Sequence, residues 1–178
     1  GESDTGKTTL IEKIIQEYPQ FRYYYNPRWK DSGSLASLFS AETELSGPCL
    51  ISKSNVVYHS DVVDKMISTA GDVVVGVVPA KTFRPYSGNV ADSEKVFLSE
   101  GNFLSPVPIR RYSGETYIFS GIIFLTETGV RKFSEKARAL LGLSSLKDFT
   151  PSADHQYVEI HEIIMSLLAS DFQARAPI

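Results

Sequence analysis

The fold is decided by two neighbouring stretches: Asn26-Pro-Arg-Trp-Lys-Asp-Ser-Gly-Ser-Leu-Ala-Ser-Leu38 and Cys49-Leu-Ile-Ser-Lys-Ser-Asn-Val-Val-Tyr-His-Ser-Asp-Val-Val-Asp64. The first reads as a polar loop running into a helix. The second reads as an apolar strand, a polar strand end and a second helix. In α/β proteins ligands sit at the carboxyl ends of strands. Ser52 to Asn55 leave one such end, and the loop from Asn26 to Ser34 leaves another. The rest of the chain is expected to build the sheet beneath these two ends or to cover them.

Working outward towards the amino end, Phe21 to Tyr25 is β-prone and reads as a strand. Tyr23, Tyr24, Tyr25 and Trp29 are read as sheet and core packing ahead of base stacking. Before them, Leu10, Ile11, Ile14, Ile15 and Tyr18 fall on one helical face, and Pro19 ends that helix. The opening residues, Gly1-Glu-Ser-Asp-Thr-Gly-Lys-Thr-Thr9, leave two readings open. Gly1, Gly6, Lys7 and Thr8 match a phosphate-binding P-loop, in which backbone amides cradle phosphate and Thr8 could ligate magnesium. The motif needs a strand before it and a magnesium-holding aspartate later, and neither is visible. The other reading is a strand-to-helix turn capped by Ser3, Asp4 or Thr5.

Between the two stretches, Leu35, Leu38, Phe39, Ala41 and Leu45 mark a helix that Ser32 or Ser34 can cap. Cys49-Leu50-Ile51 is apolar enough for a fully buried strand. Ser60 is expected to cap the next helix, and Gly71 to close it. Asp72 to Val78 is a valine-rich strand. The α-β-α-β-α-β order to this point predicts parallel strands joined by right-handed helical crossovers.

Beyond Pro79 the character changes. Pro79 to Val90 reads as a loop carrying Lys81 and Arg84. Val96 to Leu98, a turn, and Phe103-Leu104 read as a β-hairpin. Arg110-Arg111 is either a solvated pair or a phosphate-facing one. Thr116 to Leu125 is a long buried strand interrupted at Ser120-Gly121, where a glycine often marks close approach of a ligand or of backbone. Thr126 caps a helix through Leu141, and a last helix covers Asp154 to Leu168.

The 178 residues form one domain's length and suffice for a proper core. A hydrophobic share of 42% and a charged share of 22% are those of an ordinary globular domain. The formal net charge of −3 supplies no basic field, so nucleic acid is not an expected partner. No apolar run approaches the roughly 18 residues of a membrane span, and no secretory signal is visible, so the expected compartment is the cytoplasm. Cys49 is the single cysteine and reads as a buried structural thiol.

The order of these pieces resembles the nucleotide-diphospho-sugar transferase-like nucleotidyltransferases. Nearest are the cytidylyltransferases that act on sugar phosphates, phosphocholine and phosphonates. The resemblance rests on Asn26 ending a strand, Trp29, Ser34-Leu35 or Ser37-Leu38 before a helix, Ser54-Asn55-Val56-Val57, and Gly114-Glu115 followed by Gly121-Ile122. It covers roughly residues 21–133. It implies a three-layer α/β/α, Rossmann-like, mostly parallel sheet with an inserted β-hairpin, in a single domain over 1–178, and makes the P-loop match accidental. The implied reaction moves a nucleotidyl group, CTP being the expected donor, onto a phosphorylated small molecule, with release of pyrophosphate. It places Asn26 and Ser34 near nucleotide or acceptor, and Ser54 and Asn55 at the magnesium position. Asn55 and Lys81 are the expected catalytic residues; Lys81, Arg84, Arg110 or Arg111 would hold acceptor phosphate, Glu115 would line the acceptor pocket, and Gly121 would bind substrate or nucleotide.

Two departures stand out. The family's glycine-rich triphosphate loop is absent, so the chain is either a piece of a longer domain or has lost that part. Asn55 stands where relatives carry an aspartate, which removes a charge from the metal position. Asp61, Asp64, Asp154 and Asp171 are no clear replacement. A non-catalytic binding or regulatory module of the same fold is therefore the alternative, and a P-loop nucleotide-binding protein the third reading. Oligomeric state is not legible.

Overall fold

A computed structural model describes residues 12–27, 29–30, 32–54, 56–83, 95–99, 103–104, 115–140, 160, 164 and 174–175. In chain order these form helix α1 (residues 12–17), helix α2 (Ser34–Phe39), a 3-10 turn (Glu42–Glu44), strand β1 (Cys49–Ser52) and helix α3 (Ser60–Ser68). Then come β2 (Val73–Pro79), β3 (Lys95–Ser99), β4 (Phe103–Leu104), β5 (Thr116–Leu125), helix α4 (Glu127–Leu140) and β6 (Ala174–Arg175). Ile160 and Ile164 are helical as well.

The strands make one mixed sheet in the order β1-β5-β2-β6-β4-β3, and β3 also pairs with β5. The mostly parallel sheet expected from the sequence is not what these strands form. β5 runs antiparallel to β1, β2 and β3, and β4 antiparallel to β3 and β6. Only β2 and β6 pair in parallel. The reason lies in β5. β1 and β2 do run the same way, as a β-α-β unit requires, but they are not neighbours. The ten residues of β5 insert between them in the opposite direction, with Cys49 opposite Leu125 on one edge and Val73 opposite Leu125 on the other.

Alternation along the strands sends side chains to two cores. On one face Val73, Val75, Phe119, Ile123 and Leu125 pack with Leu35 and Phe39 of α2, Phe133 and Ala137 of α4, and Ile160 and Ile164. On the other face Val74 and Ile122 pack with Met66 of α3, beside Val62 and Tyr58. Helix α4 is fixed at its start by Thr126, whose Oγ1 accepts from the Gly129 amide at 3.2 Å, the cap the sequence predicts. The Thr126 amide donates to the Asp72 carbonyl at 3.0 Å, and Lys132 reaches the Asp72 carboxylate at 3.3 Å. These contacts pin α4 to the start of β2.

Four local expectations are corrected. Phe21 to Tyr25 is not a strand but irregular, and its aromatics are exposed, Tyr25 at 78%. Polar contacts hold the segment instead. Arg22 donates to Glu44 Oε1 at 2.7 Å, and the Tyr24 hydroxyl donates to the same oxygen. Tyr23, Tyr24, Tyr25 and Trp29 are thus surface residues. Second, the helix over Leu35 to Leu45 splits into α2 and the 3-10 turn, and Gly33 precedes α2 without a side-chain cap. Third, the α3 cap is His59, whose Nδ1 accepts from the Asp61 amide at 3.3 Å. Fourth, β1 is half-buried, because it ends the strand order. Cys49 packs against the larger core, and burial pushes its thiol pKa up, which suits a structural role.

Candidate functional site

β5 changes partner along one edge. Its residues Ile122 to Leu125 pair with β1, and Thr116 to Ile118 pair with β3. Both partners run the same way, so the carboxyl end of β1 meets the amino end of β3 across residues 119–121. The sheet is split there. A crevice where neighbouring strands part at a carboxyl end is the standard ligand position in α/β folds.

Lys53 is the first residue past β1. Its amide donates to the Gly121 carbonyl at 2.9 Å, which holds the chain against β5 after the ladder ends. Gly121 is buried with φ of +87°, and a Cβ there would lie 2.8 Å from Val56 Cγ2 and 3.3 Å from Lys53 Cβ. The groups that close on the glycine are thus the side chains of Val56 and Lys53. The Lys53 ammonium sits over the Phe119 ring, 5.4 Å from its centroid. The contact is a cation–π attraction between the ammonium and the ring face. Ser54 follows, exposed.

Further along β5, Lys81 stands two residues past the end of β2. Its ammonium meets Glu115 Oε1 at 2.5 Å, while the Tyr117 hydroxyl donates to Glu115 Oε2 at 3.0 Å. The hydrogen bond from Lys81, then that from Tyr117, lowers the Glu115 pKa. The same Lys81 pair raises that of the lysine. Lys95 opens β3 opposite Ile118. The strip from Glu115 to Gly121, about 20 Å long at strand rise, thus carries Lys81 at one end and Lys53 at the other. Lys53 brings a positive charge beside the split, while the charge of Lys81 is met by Glu115.

The structure joins Lys81 to Glu115, and Ser54 to Gly121 through Lys53. Asn26 is treated differently: it is buried, and its Nδ2 donates to Ser32 Oγ at 2.9 Å and Ser37 Oγ at 3.1 Å. Ser34 Oγ accepts from the Ile160 amide at 3.1 Å. These bonds tie their loop to α2 and to Ile160. Asn55, Arg84, Arg110, Arg111 and the opening Gly1, Gly6, Lys7 and Thr8 lie outside the described residues, as do Asp154 and Asp171. Asp61 and Asp64 are exposed on α3.

Lys53 and Lys95 are the residues that sequence reading missed. For Lys53 the available signal was a lysine directly following a strand.

Among the described residues, no group of three His, Cys, Asp or Glu side chains is placed to hold a metal ion. Among the described residues at the end of β1 the side-chain oxygens are the hydroxyls of Ser52 and Ser54, and both Glu115 oxygens are already engaged. That donor set does not fit a magnesium ion held by these residues. Among the described residues no helix is long and apolar enough to cross a membrane.

No protein-family model matches the sequence, and no curated protein matches it either. The fold does have solved counterparts. An inositol-1-phosphate CTP transferase from T. maritima matches with a TM-score of 0.54 and 13% identity over 82% of this chain. The match spans 51% of that transferase, so the chain corresponds to about half its length. At this identity the likeness is one of fold: a mixed α/β domain.

Proposed function

We propose that the chain is a nucleotidyltransferase-like domain, of the three-layer nucleotide-diphospho-sugar transferase type. It receives a nucleoside triphosphate, CTP first, at the split between β1 and β3. The observation that carries the reading is the lysine-flanked split, in a fold shared with a CTP transferase. In the proposed reaction an oxygen of a phosphorylated small molecule attacks the α-phosphorus. The new P–O bond forms as the bond to pyrophosphate breaks. Lys53 and Lys81 supply positive charge to phosphate oxygens, where charge-assisted hydrogen bonds are the strong ones. Glu115 keeps Lys81 charged and aimed along β5. Arg84, Arg110 and Arg111 remain candidates for the acceptor phosphate, and Asn26 and Ser34 for its far side. Magnesium belongs to the proposal as the ion that the triphosphate brings with it, with Asn55 as the expected contact.

A second reading is a nucleotide- or sugar-phosphate-binding module without turnover. The engagement of both Glu115 oxygens favours it, since lysines that bind phosphate need no free base beside them. One experiment separates the two. The chain is mixed with magnesium, CTP and a phosphorylated alcohol, and pyrophosphate is followed. Release that Lys53→Met and Lys81→Met each slow supports transfer. Saturable CTP binding without pyrophosphate supports the module. Absence of binding by both CTP and the phosphorylated alcohol refutes both.

A further inference from the structure

We draw no further inference here: the strongest candidate, the outer edge of β1 at the end of the strand order, along which no described strand pairs, carries nothing because nothing in the structure shows what covers it.

Discussion

Gly121→Ala is the sharpest test of how β5 is joined to the end of β1. Two costs add. An L-residue held at left-handed φ loses about 1–2 kcal/mol, and φ here is +87°. The new methyl would also stand 2.8 Å from Val56 Cγ2 and 3.3 Å from Lys53 Cβ, against about 3.5–4.0 Å for ordinary carbon contact. Overpacking of this kind costs about 1–3 kcal/mol. The sum is about 2–5 kcal/mol, centred near 3. With a urea m value of about 2 kcal/mol/M for a small domain, the unfolding midpoint should fall by about 1.5 M. Domain stabilities of about 5–15 kcal/mol leave the variant folded and measurable. Gly47→Ala is the internal control, because a Cβ there meets nothing within 4 Å. It should stay within about 0.5 kcal/mol of the parent. Coincident curves for the two variants would refute the reasoning, because they would mean that residue 53 does not lie against residue 121.

Gly129→Ala should be worse. Its methyl would fall inside the Asp72 carbonyl oxygen, a backbone atom that cannot give way; a loss at or above about 3 kcal/mol is expected in urea melts. Phe133→Ala removes the largest fully buried side chain among the described residues and should cost about 3–5 kcal/mol in the same assay. The Glu115 pair predicts a pH signature. A carboxylate whose folded pKa is lowered contributes stability above its unfolded value, and this is lost as pH falls through the folded value. Carbon-detected titration should find Glu115 below the ordinary glutamate range, and Lys81→Met should move it back up; an unmoved Glu115 would show that Lys81 is not its partner.

Much of the chain was legible residue by residue. β5 begins at Thr116 and ends at Leu125, as its apolar run on either side of Ser120-Gly121 implies, and Thr126 caps α4 because a threonine hydroxyl there reaches the Gly129 amide. Strand direction was not legible. Nothing in Thr116 to Leu125 records that it runs against both neighbours, since a strand buried on two faces is apolar whichever way it points. The aromatic run from Phe21 to Tyr25 shows the opposite failure. Its β propensity is high, but propensity expresses fit to a pleated surface, and no strand pairs with it here. At the site, Lys81 and Glu115 were singled out without being joined. Lys53 went unread because its role comes from Phe119 and Gly121, more than 60 positions away.

The central claim is that nucleotide phosphate sits at the split between β1 and β3. Amide shift mapping of the full chain with magnesium and CTP tests it most directly. The account predicts saturable changes at residues 52–54, 80–83 and 115–121, reduced about tenfold in affinity by Lys53→Met. Changes confined to Gly1–Thr8, or to α4, would contradict it.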